Sequence, residues 1–166
     1  MRKHIVLLAL LALILPGAVL FAQQVAAPAS AQAEVDKDIQ LLRQDLRSGK
    51  KQIVAANLPL TDTEATKFWP VYERYTAEVA KQNDNKVGLI KEYAEHYDSL
   101  TDAQASSLIK RALASEDDAT KLRLQWIPEF EKVISAKKTA MFMQIDRRVG
   151  LLIDLQLASE IPLVQP

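Results

Sequence analysis

Apolar residues along this chain recur at intervals of three and four, the signature of one buried helix face. They do so in four blocks. The first holds Val35, Ile39, Leu42 and Leu46 and predicts a helix from about 34 to 57. Gly49 weakens that helix, and Ile53, Val54 and Ala56 form its last stretch. Asn57-Leu58-Pro59 stops it, because a residue before proline is pushed out of the α region. The second block is Phe68, Tyr72, Tyr75 and Val79. After the polar run from Gln82 to Lys86 it resumes at Ile90, Tyr93, Tyr97 and Leu100. A helix from Asp62 to Asp98 would be about 55 Å long, with Pro70 or Asn83-Asp84-Asn85 as the places for a bend.

The third block is Ala105, Leu108, Ala112, Ala119, Leu122, Trp126, Phe130 and Val133, with Pro128 expected to kink it. The fourth follows Ser135 and presents Phe142, Ile145, Val149, Leu152 and Ile153 before Pro162 ends order. The links around Ser99-Leu100-Thr101 and Ser135 are very short, which makes successive helices antiparallel. The expected fold is all-α: long antiparallel helical hairpins of three to four helices, elongated in outline. With the turn centred near residue 100, positions whose numbers sum to about 200 lie level. Trp126 should therefore meet Tyr72 and Tyr75, and Phe130 should lie near position 70.

The N-terminus reads differently. Arg2, Lys3 and His4 precede an apolar run from Ile5 to Leu15, Pro16-Gly17 breaks it, and Ala29-Ser30-Ala31 and Ala31-Gln32-Ala33 supply small residues. That order is a secretory signal peptide. A permanent anchor is the competing reading, since Ile5 to Ala22 just reaches the length of a span; the Pro-Gly break favours cleavage. Residues 1–33 are thus expected to be signal peptide and disordered leader, 34–160 one helical domain, and 161–166 a disordered tail. The expected compartment is the periplasm, with no stable membrane insertion after cleavage.

Composition narrows the chemistry. There is no cysteine, hence no disulfide, thiolate zinc site or cysteine nucleophile. The formal net charge is zero, and losing Arg2 and Lys3 with the first 33 residues makes the remainder slightly acidic, so nucleic-acid binding has no electrostatic support. No nucleophile elbow, HExxH pair or phosphate loop occurs, so no catalytic residue is assigned and no enzyme is expected. His96 and Glu92 stand one turn apart, but one histidine on an acidic, solvated helix face is too few ligands for a metal. Met141 and Met143 read as core. No metal or cofactor is expected.

Three helix starts are alike: Leu60-Thr61-Asp62-Thr63-Glu64, Leu100-Thr101-Asp102-Ala103-Gln104 and, more loosely, Ile134-Ser135-Ala136-Lys137-Lys138. In the first two, threonine followed three residues later by Glu64 or Gln104 is a capping box. Capping alone explains those residues but not the Leu, Leu and Ile before them. In this the chain resembles the periplasmic Spy/CpxP family, whose signature is a repeated Leu-Thr-x-x-Gln at helix starts. Leu100, Thr101 and Gln104 match it fully; Leu60, Thr61 and Glu64 match with glutamate for glutamine. The resemblance implies an elongated, cradle-like helical dimer acting as an ATP-independent chaperone, as an envelope-stress modulator or, as in relatives of that family, as a metal sensor. The dense block Phe68-Trp69-Pro70-Val71-Tyr72-Glu73-Arg74-Tyr75 departs from that pattern and fits a sister group.

The expected function is therefore a periplasmic protein-binding factor whose partners are unfolded clients or a membrane sensor, with a homodimer as one arrangement. The alternatives are a metal or small-ligand sensor signalling to a membrane partner, and a structural envelope component. Phe68, Trp69, Tyr72 and Tyr75 read first as core and second as a client or dimer surface. Arg147 and Arg148 read as solvated helix surface or as part of the same client face.

Overall fold

The computed structural model describes Gln44 and residues 46–165. Residues 1–33, expected to be signal peptide and leader, lie outside these residues, as do Val35, Ile39 and Leu42. The described chain falls into two compact units, one ending at Ile53 and one beginning at Val54. In the first unit the described residues, Gln44 and 46–53, are helical, and the second unit opens with a helical stretch, α1, at 54–57. Three more follow: α2 at Asp62–His96, α3 at Asp102–Glu131 and α4 at Ala136–Glu160, with a single 3-10 turn at Tyr97–Ser99 between α2 and α3. Among the described residues there is no strand, so the fold is all-α and built of helical hairpins.

Local chemistry sets each boundary. Thr61 and Thr101 are extended N-caps whose hydroxyls accept from the amides of Glu64 and Gln104, while the Glu64 and Gln104 side chains accept from the cap amides. Two otherwise orphaned donors are satisfied at each start. Ser135 caps α4 by accepting from the Lys138 amide; no box closes there, because Lys138 at the third position has only donors to offer. Pro70 and Pro128 both sit inside helices that run on past them. Each removes one ladder bond, yet α2 stays helical for all 35 residues, about 52 Å. Replacing Thr61 or Thr101 with alanine should cost about 0.5–2 kcal/mol of stability, read by denaturant melts; a loss below the error of the melt would show the caps to be dispensable.

The hairpin of α2 and α3 has the expected register. Trp126 meets Tyr75 edge-on with centroids 5.8 Å apart, and Phe130 meets Phe68 at 5.5 Å and Tyr75 at 5.6 Å. Nearer the turn, the guanidinium of Arg111 binds the Glu92 carboxylate at 2.8 Å. One partner differs from expectation: Tyr72 packs on Phe142 and Trp69. It sits three residues from Tyr75, which turns its ring toward α4.

Antiparallel to α3, α4 runs parallel to α2, and large side chains bridge the two. Phe142 touches the rings of Phe68, Tyr72, Tyr75 and Phe130, at 5.3, 5.9, 5.9 and 4.5 Å. Val54 and Leu58 from the end of α1, with Val71, Leu122, Trp126 and Ile134, complete the cluster. The core is therefore concentrated where α2 and α4 begin and α3 ends. Toward the α2–α3 turn only Leu108 joins the buried apolar set. Leu152, expected in the buried stripe of α4, instead points outward. That part of α4 is apolar on nearly every side, so spacing alone does not select its inner face.

Candidate functional site

The motif residues are divided between the two ends of the hairpin. Leu60, Thr61 and Glu64 start α2, while Leu100, Thr101 and Gln104 start α3 at the opposite end. The first and third starts do meet. Lys138 Nζ donates to Glu64 Oε2 at 2.6 Å, joining the capping box of α2 to the first turn of α4. Glu64 also accepts from the Thr61 amide and hydroxyl. The Lys138 hydrogen bond first, and the Thr61 amide second, hold the Glu64 carboxyl at about 2 against an ordinary 4.5. A carboxyl whose pKa is lowered on folding stabilises the fold fully above its unfolded value; that contribution fades as pH falls from about 4.5 toward 2. A carboxyl chemical-shift titration should place Glu64 near 2, and Lys138→Met should bring it back toward 4.5. A midpoint unmoved by that change would rule out the ion pair as the cause.

Asp146 is an acid that sequence reasoning missed, and it is only 1% exposed. Tyr75 Oη donates to Asp146 Oδ2 at 2.9 Å, and Arg123 Nε approaches the same oxygen at 3.3 Å. One polar knot thus ties α2, α3 and α4 beside the aromatic cluster. Burial, followed by the nearby Asp146 charge, pushes the Tyr75 hydroxyl far above its ordinary 10; the same two causes raise Tyr72. Tyr75 thus serves as a structural donor to Asp146. A signal for Asp146 was present in the sequence: it stands four residues after Phe142, on the same helix face. Trp126 is held similarly at the core edge, donating its indole N–H to Glu78 at 2.9 Å beneath the Arg74 guanidinium.

Phe68, Tyr72 and Tyr75 are buried in the core, the first of the two readings given to them, because the aromatic block sits where α2, α3 and α4 converge. Trp69 is half-buried against the same cluster. Arg147 and Arg148 are exposed. Beside them α4 displays Leu151, Leu152 and Leu155, the last two 69% and 68% exposed. Leu151 and Leu152 each lie three or four residues from both Arg148 and Leu155, the spacings that make helix-surface neighbours, so the three leucines form one continuous outward strip headed by Arg148. On α3, Ile109 and Leu113 stand one turn apart and are likewise exposed.

A polar concavity lies elsewhere on the hairpin. An open groove of about 530 Å³ runs between α2 and α3, with Asn85, Gly88 and Glu92 facing Arg111, Ser115 and Asp118. Its one cation, Arg111, is paired with Glu92, whose carboxyl that hydrogen bond lowers. His96 is half-buried rather than exposed as expected: its Nδ1 lies 2.9 Å from the Glu92 carbonyl of the preceding turn. Among the described residues no three His, Asp or Glu side chains gather where they would hold a metal, and no helix is long and apolar enough to cross a membrane.

Fold and surface together define a class: an all-α hairpin protein with an aromatic core at one end and an outward leucine strip on its last helix. Compared with protein-family models, curated proteins and solved structures, the chain matches none.

Proposed function

We propose that this protein is a periplasmic protein-binding factor of the Spy/CpxP type, acting as an ATP-independent chaperone or an envelope-stress modulator. The observation that carries this reading is the outward strip of Leu151, Leu152 and Leu155 beside Arg147 and Arg148. Contiguous exposed apolar side chains rimmed by charge mark interaction surfaces. Non-native polypeptide offers apolar segments to such a strip, and the two arginines would speed encounter with acidic ones. The secretory character of residues 1–33 and the capping starts at Leu60 and Leu100 support the same reading from the sequence side.

The test is protection of an unrelated, thermally unfolding client by the purified protein without ATP. Dose-dependent suppression of light scattering is expected, and changing Leu151, Leu152 and Leu155 together to serine should remove most of it. The helical content and melting midpoint of that variant should match those of the unchanged chain. No protection at several-fold excess, or undiminished protection by the serine variant, would defeat the proposal.

A further inference from the structure

We propose that Tyr93 and Tyr97 form a docking site for extended polypeptide segments, covered in cis by the chain's own residues 161–165. This rests on the reading that the protein holds non-native chains, but assigns it a second site, at the far end of α2 from the aromatic core. Three hydrogen bonds attach residues 162–165 to Tyr93 of α2 and Tyr97 of the 3-10 turn that follows it. Tyr93 Oη donates to the Pro162 carbonyl at 2.9 Å, Tyr97 Oη donates to the Leu163 carbonyl at 3.2 Å, and Gln165 Nε2 donates back to Tyr97 Oη at 2.9 Å. The two rings, one helical turn apart, stand edge to face with centroids at 5.6 Å. Lys86 pairs with Asp154 and fixes the end of α4 so that the tail emerges beside them.

The chemistry of recognition is visible in what the site reads. It takes two successive main-chain carbonyls, which every polypeptide has. It leaves the Leu163 and Val164 side chains 86% and 55% exposed, and the Gln165 amide adds one side-chain hydrogen bond. A folded partner has already committed its carbonyls to helix or sheet, so only an extended segment can offer two in a row. Pro162 prepares the tail for this role. It forces Ile161 out of the helical region, and Ile161 is extended, with φ −86° and ψ 117°. The tail cannot join α4, and its carbonyls remain available. Because it is tethered, the tail competes at an effective concentration in the millimolar range. It therefore masks the site against weak ligands and yields only to dense or abundant ones.

The experiment uses the full-length chain and a fluorescein-labelled peptide of sequence Ile-Pro-Leu-Val-Gln-Pro, followed by anisotropy. An opened variant carries Pro162→Gly, Leu163→Ser, Val164→Gly and Gln165→Ser. It should bind the peptide at least tenfold more tightly than the unchanged chain. Adding Tyr93→Phe and Tyr97→Phe should reverse that gain while leaving the helical circular dichroism intact. Equal affinity for opened and unchanged chains, absence of binding to the opened chain, or binding that survives the phenylalanine pair would overturn the proposal. Should the opened variant lose its helices, carboxypeptidase trimming decides instead: Tyr93→Phe with Tyr97→Phe in the otherwise unchanged chain should shed the tail at least fivefold faster, and equal rates overturn it. Client protection that persists without peptide binding sinks this proposal alone. Peptide binding without client protection sustains it and sinks only the leucine-strip reading.

Discussion

Changing Phe142 to alanine is expected to lower the free energy of unfolding by about 3–5 kcal/mol, the range for deleting a fully buried phenyl ring. Phe142 is 0% exposed and touches four other rings, three on α2 and one on α3. No neighbouring side chain can follow into the space it leaves without giving up a contact of its own, so the cavity term adds to the lost burial. Leu152→Ala, on the same helix but outward, should stay within about 0.5 kcal/mol of the unchanged protein. Urea melts of the two variants make the comparison. Similar losses for both, or a loss under about 1 kcal/mol for Phe142→Ala, would mean that α4 is not packed on the hairpin as described.

The second large effect concerns the polar knot. Asp146→Ala strands the Tyr75 hydroxyl, whose ring is fully buried, and an unsatisfied buried donor costs about 1–3 kcal/mol. Arg123 is partly exposed and recovers water, so most of the loss should come from the tyrosine. The decisive variant is therefore the double change Tyr75→Phe with Asp146→Leu. Replacing both partners by apolar groups removes the stranded donor and restores volume, so it should regain at least half of what Asp146→Ala loses. If the double variant is as unstable as the two single losses added together, the hydrogen bond between Tyr75 and Asp146 is not the source of the effect.

The sequence revealed most where the physics is local. A threonine followed three residues later by Glu64 or Gln104 acts within one helical turn, so both capping boxes could be read directly. The register of α2 and α3 was legible because a short turn couples position to height, which brought Trp126 to Tyr75 and Phe130 to Phe68. The meeting of α2 with α4 was not legible, because no short link joins them; Phe142 against Phe68 and Lys138 against Glu64 depend on how α4 lies on the hairpin. Periodicity also failed at Leu152. With Leu151, Leu152, Ile153, Leu155 and Leu157 in seven residues, a three-to-four spacing can be drawn along more than one face. Aromatic density in Phe68 to Tyr75 signals burial where helices converge, which is why that block read first as core, whereas the outward leucines stand in a run that also reads as core.

The parallel placement of α2 and α4 has a consequence for the order in which the chain assembles. The α2–α3 hairpin closes across a five-residue link and can zip from its turn, so its contacts carry little loop-closure cost. The contacts that complete the core span far more sequence: Phe68 with Phe142, and Tyr75 with Asp146, 71 residues apart. A chain emerging from its N-terminus must therefore hold Phe68, Tyr75 and Phe130 in a half-built core until α4 arrives. During that interval the growing protein displays an aromatic cleft of its own, the kind of sticky intermediate that makes late-closing topologies prone to aggregate.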